Sequence, residues 1–310
     1  MQRKHVLIAG PTASGKSDLA IRLARALDGV VINADSQQVY GAWRVLTARP
    51  TENEMADVPH RLFGHVDLEQ EYSTGHWLDE VRAEIAHCNA EGKTAIITGG
   101  TGLYFKALTE GLAEIPRTDP ATRERGEADL DRLGLQGFLA NLEARDPETC
   151  GRIDTLNPRR VLRAWEVLET TGRGIAYWQD NTPAATLPLE VCYAVALTPP
   201  RDWLYARCEA RFDRMIEQGA LNEVRSVMAL DLPAAAPGLR AFGAPELTAH
   251  LRGELTLDEA IDRAKTETRR YAKRQLTWIR NQMTDWQKVD PSQERTVDDL
   301  VGIITTTSSL

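Results

Sequence analysis

Residues 10–17 form the most specific chemical pattern in this sequence. They read Gly-Pro-Thr-Ala-Ser-Gly-Lys-Ser and match the phosphate-loop pattern G-x-x-x-x-G-K-[ST] at every fixed position. Such a loop directs backbone N–H groups and the positive end of a helix dipole at a phosphate group. Lys16 would add a positive charge, and the hydroxyl of Ser17 could bind Mg²⁺. The pattern predicts a diphosphate-binding site but does not indicate which molecule carries the diphosphate.

The residues on either side of this loop have the periodicity that its function requires. Residues 5–9 are an apolar run typical of a buried strand, and residues 18–27 have the pattern of an amphipathic helix. A second apolar run, residues 29–34, ends at Asp35. Ligands of open α/β sheets bind at the carboxyl ends of the strands, so we predict that Asp35 lies beside the phosphate loop.

A third predicted strand, residues 93–98, follows a helix predicted over residues 73–91. The strand runs into Gly99-Gly100-Thr101-Gly102. The glycines would let backbone or a ligand approach closely, and Thr101 would supply a hydroxyl group there. A tight strand-to-helix turn with no role in binding is an equally good interpretation of this stretch.

The composition of the 310-residue chain is that of an ordinary globular protein. Hydrophobic residues make up 42% of it, and no stretch approaches the roughly 20 apolar residues of a membrane span. The N-terminal residues lack the regions of a signal peptide, so we expect a cytoplasmic protein without membrane contact. The four cysteines are too widely spaced for a zinc or redox pair. A net charge of −8 argues against indiscriminate nucleic-acid binding but allows a local basic groove.

The alternation of strands and helices stops at about residue 116 and resumes at about residue 189. Between these points the pattern is helical. We therefore predict an α/β fold, in which a P-loop NTPase-like core with a parallel sheet flanked by helices is formed by residues 1–115 and 189–290. Residues 116–188 would be an inserted all-helical domain. The polar tail, residues 291–310, is expected to be loosely ordered.

Two groups of arginines are spaced for binding phosphates. Arg159 and Arg160 lie in the first turn of a predicted helix, where the dipole disfavours cations by roughly 0.3–1 kcal/mol each, and Arg163 follows one turn later. A polyanion would reverse that penalty, although a solvated surface explains the group as well. In a later helix, three arginines share one face and could clamp phosphates or pair with acidic neighbours. They are Arg207, Arg211 and Arg214.

The last long helix, predicted over residues 257–281, interleaves cations with Tyr271 and Trp278. Basic and aromatic side chains in alternation suit a nucleic-acid backbone and its unstacked bases. Core packing of the two aromatic residues beside a solvated basic face is equally compatible with the periodicity.

Two functions are compatible with these observations. Most phosphate-loop proteins are hydrolases or kinases, but the third strand ends in Gly-Gly-Thr and not in a magnesium-binding aspartate, and no N-K-x-D motif occurs. A small-molecule kinase that uses ATP, with Asp35 as the base for its acceptor, remains possible on these residues. A nucleotide-gated RNA-binding protein without catalysis, indicated by the basic helix over residues 269–280, is the alternative.

Seven stretches of the chain, taken in order, resemble one known family. They are Gly10–Ser17, Asp35-Ser-Gln-Gln-Val-Tyr40, Thr47-Ala-Arg-Pro50, Pro59-His-Arg-Leu62, Gly99-Gly-Thr-Gly-Leu-Tyr-Phe105, Asn157-Pro-Arg-Arg160 and Arg269-Arg-Tyr-Ala-Lys-Arg-Gln-Leu-Thr-Trp278. In this order, from about residue 5 to residue 281, the sequence resembles the tRNA dimethylallyltransferases, also called tRNA isopentenyltransferases. The ordered set is far more specific than the phosphate loop alone.

The resemblance implies transfer of a dimethylallyl group from dimethylallyl diphosphate to N6 of the adenine adjacent to the anticodon. Asp35 would be the base, and Lys16, Ser17, Thr12, Thr101 and Arg211 would complete the catalytic set. The diphosphate would be held by Gly10, Pro11, Thr12, Ala13, Ser14, Gly15, Lys16, Ser17 and Arg211. Mg²⁺ would bind Ser17 and diphosphate oxygens.

The resemblance also implies a set of contacts with the anticodon stem-loop of tRNA, which the helical insertion would grip. In the core these are Asp35, Ser36, Gln37, Gln38, Thr101, Arg240, Ala241, Phe242, Gly243, Ala244, Pro245, Lys273, Arg274, Gln275, Trp278 and Arg280. In the insertion they are Arg123, Arg159, Arg160, Val161, Leu162 and Arg163. No obligate protein partner is expected.

Two stretches depart from the family pattern. After Tyr40 the family usually has a Lys-Gly-Met-Asp-Ile-Gly-like run, but this chain has Arg44 in place of the acidic residue and Leu46 in place of the second glycine. Residues 242–245 read Phe-Gly-Ala-Pro where Ile-Gly-Tyr-Lys is common. Since the phosphate loop, Asp35 and Arg211 are intact, we expect an active enzyme.

Overall fold

The structure, a computed structural model, describes residues 5–308 and consists of two units. Residues up to 109 and from 186 onward form the sheet unit, and residues 110–185 form the helical unit. The helical insertion was predicted over residues 116–188, so both observed boundaries lie a few residues earlier. None of the helices within the described range is long and apolar enough to cross a membrane.

The sheet unit contains six strands and nine helices among its described residues. The strands are β1 (His5–Ala9), β2 (Gly29–Asn33), β3 (His60–Arg61), β4 (Thr94–Gly99), β5 (Cys192–Leu197) and β6 (Gln287–Val289). The helices are α1 (Lys16–Leu27), α2 (Glu52–Asp57), α3 (Thr74–Ala90), α4 (Gly102–Glu110), α9 (Arg201–Glu217), α10 (Ala220–Met228), α11 (Ala244–Leu251), α12 (Leu257–Gln282) and α13 (Glu294–Ser308). The helical unit contributes α5 (Pro120–Glu143), α6 (Pro147–Arg152), α7 (Pro158–Thr171) and α8 (Ile175–Asp180).

All six strands are parallel and lie in the order β3-β2-β4-β1-β5-β6. Every residue of β1, β2 and β4 is buried, which is the pattern of parallel strands covered on both faces. The predicted α/β fold with a phosphate-loop core is confirmed. Because β2 and β4 are neighbours and β4 pairs with β1, the segments after these three strands meet at one edge of the sheet.

The core on one face of the sheet is built by α1 and the C-terminal helix α13. Leu19 and Leu23 of α1 pack with Leu300 and Ile304 of α13, all of them almost inaccessible to solvent. The expectation of a loosely ordered tail is therefore wrong for the described residues after Pro291. Its apolar residues, spaced four apart in an otherwise polar stretch, form a helix because α1 offers an apolar face to cover them.

A second core lies among α9, α10, α11 and α12 and extends into the loop after β2. Phe212, Met215, Val224 and Leu247 belong to it, together with Leu46 from that loop. Residues 41–48 therefore pack against α9, the helix that carries Arg207, Arg211 and Arg214. This contact fixes the position of the loop that borders the site.

The helical unit has its own core, which includes Phe138, Leu142, Val161 and Trp165. Its longest helix, α5, is interrupted at Gly134, where a φ of 67° breaks the helical geometry. Helix α7 begins at an N-cap, Asn157, whose side chain accepts hydrogen bonds from the first-turn N–H groups. The first turn of α7 is therefore fixed where Arg159 and Arg160 project.

Candidate active site

The phosphate loop joins β1 to α1 and turns sharply at two points. Ala13 and Gly15 have φ values of 63° and 89°, in the left-handed region. Such a conformation is uncommon for alanine and therefore indicates a backbone that its surroundings hold in place. The loop leads directly into the first turn of α1, whose free N–H groups and dipole favour an anion.

Lys16 is the buried cation of the loop. Its side chain is 8% exposed, and its Nζ donates a hydrogen bond of 3.3 Å to the carbonyl oxygen of Pro11. Burial is the main reason that the pKa of Lys16 is lowered to about 8; the charge of Asp35 opposes this shift, that of Arg211 adds to it, and Cys208 opposes it. An anionic ligand would restore the charge that burial disfavours.

Helix α9 brings two arginines over the loop. The Nε of Arg207 donates a hydrogen bond of 2.9 Å to the carbonyl oxygen of Ala13, which helps to hold the strained turn. Arg211 lies half-buried one turn later, and burial lowers its pKa. Within residues 5–308, its guanidinium forms no hydrogen bond or ion pair. Arg211 is therefore free to bind a ligand.

The side-chain amide of Gln275 clamps the phosphate loop to the segment after β4. Its Oε1 accepts a hydrogen bond of 2.9 Å from the N–H of Thr12, and its Nε2 donates one of 2.9 Å to the carbonyl oxygen of Gly100. A Cβ at Gly100 would overlap this amide, so the close approach requires glycine. Gln275 was expected to contact tRNA, which stays a prediction; both ends of its amide are engaged within the protein.

Asp35 follows β2 and is 7% exposed. Its Oδ1 accepts a hydrogen bond of 3.0 Å from the N–H of Gln37, and its own N–H donates to Asn33 Oδ1 at 2.8 Å. The Oδ2 lies beside Gly100 and has no hydrogen-bond partner among the described residues. One carboxylate oxygen is thus fixed by the backbone, and the other can accept a proton.

Thr101 links the segments after β4 and β2. Its Oγ1 accepts a hydrogen bond of 2.9 Å from the N–H of Ser36 and lies 3.2 Å from Ser36 Oγ. In the same turn, the Nε2 of Gln38 donates to the carbonyl oxygens of Thr47 and Ala48 at 2.8 and 3.0 Å. These contacts hold the turn after Asp35 against both neighbouring loops.

Two adjoining cavities open on these residues. The larger is a polar cleft of about 590 Å³ over the phosphate loop, bordered by Lys16, Asp35, Arg207, Arg211 and Arg214. The smaller is a pocket of about 50 Å³ that shares Thr12, Asp35 and Arg211 with the cleft. Ala13, Thr47 and Met215 also border both cavities, and the remaining walls of the pocket are Gln37, Leu46, Cys208, Phe212, Phe242, Thr268 and Tyr271. A cationic cavity and a pocket that has apolar side chains on part of its wall therefore meet at Asp35.

A metal ion would have few protein ligands here. No cluster of three or more His, Cys, Asp or Glu side chains suited to a metal occurs within residues 5–308. Ser17 is exposed in the first turn of α1 and borders the cleft. A single hydroxyl, with the remaining ligands supplied by substrate phosphates and water, is a donor set that fits Mg²⁺.

The other core residues predicted to contact tRNA differ in exposure. Arg240, Pro245, Lys273, Arg274 and Arg280 are exposed, whereas Ala241, Gly243 and Ala244 are buried. The ring of Phe242 stacks on Tyr271, with 4.2 Å between centroids. The indole of Trp278 packs so closely on Gly102 that a Cβ there would overlap it. Trp278 is thus partly a packing residue, and the exposed cations remain the residues free to contact RNA.

In the helical unit, the predicted RNA-binding residues fall into two groups. Arg159 and Arg160 are exposed. Arg123 and Arg163 approach the buried carboxylate of Glu166, with N–O distances of 3.5 and 3.2 Å. Val161 is completely buried and Leu162 half-buried. The side chain of Val161 points into the core beside the two exposed arginines, so any contact of this residue with tRNA, which stays a prediction, would have to involve its backbone.

Arg207 was predicted from its spacing to share one helix face with Arg211, but other residues of the site were not predicted from the sequence. Leu46, Phe212 and Met215 lie in different segments, and nothing in the sequence indicates that they share a pocket. Glu223 of α10, whose carboxylate binds the loop after β2, is likewise visible only in the structure.

The parallel sheet, the phosphate loop and the unpaired cations above it define a phosphate-loop protein with a site for a phosphorylated ligand. The family model described as IPP transferase matches residues 38–282. The chain therefore belongs to the IPP transferase family.

Individual relatives agree with this assignment. A tRNA dimethylallyltransferase of Cereibacter sphaeroides is 56% identical over 284 residues, covering 92% of this chain and 95% of the relative. That of Dinoroseobacter shibae is 54% identical over 286 residues, covering 92% and 94%. The crystal structure of the tRNA isopentenylpyrophosphate transferase of Bacillus halodurans matches with a TM-score of 0.70 and 33% identity, over 99% and 98% of the two chains. A eukaryotic dimethylallyltransferase acting on tRNA gives a TM-score of 0.83 at 27% identity, over 97% and 78%.

Proposed function

We propose that this protein transfers the dimethylallyl group of dimethylallyl diphosphate to N6 of the adenine 3′ to the anticodon of tRNA, in the cytoplasm. The C1–O bond of the diphosphate ester breaks, a C1–N6 bond forms, one N6 proton passes to Asp35, and diphosphate leaves. The observation that carries the proposal is the meeting of three features at one place: unpaired cations over a phosphate loop, a carboxylate with a free oxygen, and a small apolar pocket.

The phosphate end of the site suits a leaving diphosphate. Negative charge grows on the diphosphate as the C1–O bond breaks. The loop N–H groups, Lys16 and Arg211 are already in place to stabilise that charge, and burial strengthens each of these interactions. Mg²⁺, bound by Ser17 and by oxygens of the substrate, would supply further positive charge when present.

The small pocket favours a prenyl group over the γ-phosphate transfer of a kinase. A kinase needs cations and an acceptor beyond the terminal phosphate, all of them polar. Here the space next to Thr12 and Arg211 is instead walled by Leu46, Phe212 and Met215. Burying a short hydrocarbon chain there is favourable at roughly 25 cal/mol per Å² of apolar surface.

Asp35 is the residue that we expect to accept the proton of the adenine amine. The lone pair of that nitrogen is delocalised, so removal of a proton as the C–N bond forms assists the attack. Oδ2 of Asp35 is free, and Asp35 borders both cavities, where C1 of the substrate would lie. The target base must leave the anticodon-loop stack to reach it, at a cost of a few kcal/mol.

The test is incorporation of labelled dimethylallyl groups into unmodified tRNA by the wild type and by Asp35→Ala and Asp35→Asn. We expect either substitution to lower turnover by about 10²- to 10⁴-fold, the contribution typical of a general base. Binding of tRNA should stay within about threefold of the wild type. The matched control is Asp28→Asn, which neutralises an exposed carboxylate at the C-terminal end of α1, outside both cavities, and should leave turnover intact.

Two outcomes would overturn the proposal. Absence of incorporation by the wild type, with several tRNAs that carry adenine at this position, would refute the activity. Tight calorimetric binding of ATP, with no binding of dimethylallyl diphosphate, would support the kinase instead. Unchanged turnover in both Asp35 variants would refute the role of Asp35 alone.

A further inference from the structure

The loop after β2 is fixed by one carboxylate from a distant part of the chain. Glu223 of α10 accepts three hydrogen bonds from consecutive backbone N–H groups, those of Arg44, Val45 and Leu46, at 2.7, 2.8 and 2.9 Å. Hydrogen bonds to a charged acceptor are about twice as strong as neutral ones. Three of them on successive residues leave the loop backbone little freedom, so the side chain of Leu46 has a defined position.

In that position, the side chain of Leu46 forms part of the wall of the small pocket. It is 5% exposed, belongs to the core around Phe212 and Met215, and lines the pocket of about 50 Å³. The backbone of Gly243 lies behind the neighbouring wall. Gly243 has a φ of 90°, and a Cβ built there would overlap the ring of Phe212 and make an ordinary van der Waals contact of 3.4 Å with Leu46 Cδ2. The ring of Phe212 therefore has little room to move towards Gly243.

The small pocket has a polar end and an apolar end. Thr12, Asp35 and Arg211 form the end shared with the phosphate cleft, whereas Leu46, Phe212 and Phe242 line the small pocket alone. A chain whose diphosphate lies on the loop must enter from the polar end. Leu46 is then among the first apolar side chains that limit how long or how branched the chain can be.

We propose that Leu46 is a specificity-determining residue that restricts the transferred group to five carbons, and that Glu223 is the positioning residue that holds it. This inference rests on the proposed function. A pocket of fixed volume rejects a longer chain because overpacking forces side chains off their rotamers. One methylene group in a hydrophobic pocket changes kcat/KM by about 10- to 200-fold, so a small change in the wall should be measurable.

The experiment compares three diphosphates with the same tRNA: the dimethylallyl ester, its homologue with one terminal methyl extended to ethyl, and the geranyl ester. The readout is the ratio of kcat/KM for each longer chain to that for dimethylallyl. We expect Leu46→Ala to raise the ratio for the ethyl homologue by about tenfold or more, and Leu46→Gly to raise the ratio for geranyl as well.

Leu68→Ala is the matched control. Leu68 has nearly the same burial, 6% exposed, and belongs to the same core, but it does not line the pocket. Its truncation removes the same atoms and should lower stability similarly without changing the ratio. Leu46→Phe fills the pocket and creates no cavity, so it should lower activity with dimethylallyl diphosphate. This variant tests the role of Leu46 if the truncated variants fail to fold.

Glu223→Ala tests the positioning role. We expect the chain-length ratio to rise, with a larger effect on KM for the diphosphate than on tRNA affinity. Glu223→Gln, which keeps one acceptor oxygen, should recover part of the wild-type ratio. A destabilised protein with an unchanged ratio would mean that Glu223 is only structural and would overturn this part of the proposal.

The failure of this inference is distinct from failure of the proposed function. If the wild type transfers no prenyl group, the proposed function is refuted and the inference with it. If the wild type is active but Leu46→Ala and Leu68→Ala give the same ratio, only the role of Leu46 is overturned. Equal activity of Leu46→Phe and the wild type would also overturn it.

Discussion

The cations over the phosphate loop and those of helix α7 are in opposite environments. Lys16 is buried and Arg211 half-buried, and neither forms an ion pair within the described chain. Arg159 and Arg160 are exposed at a helix start. A charge pair is worth about four times more at the effective dielectric constant of a protein site than in water. The first pair is therefore suited to one ligand in one geometry, and the second to a solvated polyanion.

Arginines on the same helix, α7, differ in whether they are free to bind a ligand or are held by the protein. Arg163 lies on α7 beside Arg159 and Arg160, yet its guanidinium hydrogen-bonds Glu166 and Thr118 at 3.2 and 2.9 Å. An arginine already held by a buried carboxylate gains less from an RNA phosphate than an arginine surrounded by water, because it must give up existing contacts. Sequence position alone does not distinguish these two roles.

Among the cations compared, Arg211→Ala should have the largest effect. Loss of this half-buried cation facing the developing charge should lower kcat by about 10²- to 10³-fold. The loss should change little between 50 and 200 mM salt, because buried charges are poorly screened. Steady-state kinetics at both salt concentrations would measure it. Arg214→Ala, one turn further along α9 and exposed, should cost much less; an equal loss there would show that burial does not decide the effect.

The second effect is a pH dependence of diphosphate binding. Because the pKa of Lys16 is lowered to about 8, free Lys16 is charged below pH 8 and loses its charge above it. Affinity for dimethylallyl diphosphate should therefore fall as pH rises from 8, by at most tenfold per pH unit. The fall should end at the higher pKa that Lys16 has in the complex. Calorimetry between pH 7 and pH 10 would measure this.

Lys16→Met is the control for that titration. It should bind the diphosphate weakly and with little pH dependence over the same range. Cys208, the neighbouring thiol, has a pKa raised to about 11 by burial and so does not titrate in this window. A wild-type slope retained in Lys16→Met would assign the titration to another group.

The smallest effect is expected at the surface of α7. Replacing Arg159 and Arg160 together by alanine should weaken tRNA binding uniformly and reduce the slope of log affinity against log salt by about 1 to 2. Turnover at saturating tRNA and thermal stability should not change. Arg163→Ala should instead destabilise the protein by about 1 kcal/mol, since Glu166 loses a hydrogen bond. A salt slope unaffected by the double substitution would exclude these arginines from the RNA contact.

The parts of the site predicted correctly are those encoded by local pattern. The phosphate loop needs glycine, lysine and serine at fixed spacing, and the strand before it needs an apolar run, so both are visible over about fifteen residues. The position of Asp35 followed from one further rule, that parallel strands present their carboxyl ends at one edge. By contrast, α13 was mistaken for a loose tail because its few apolar residues are significant only when α1 is there to cover them.

By itself, the sequence determined the fold class, the phosphate loop, Asp35 and Arg211 as site residues, and the family through an ordered series of motifs. These depend on residue types at short or fixed spacings. Only the tertiary structure decided which cations are unpaired, that Gln275 clamps Thr12 to Gly100, and that Glu223 holds Leu46 against a small apolar pocket. Those contacts join residues more than 170 positions apart. Such pairings are decided by how whole helices pack, because their free energy comes from burial that no local segment possesses.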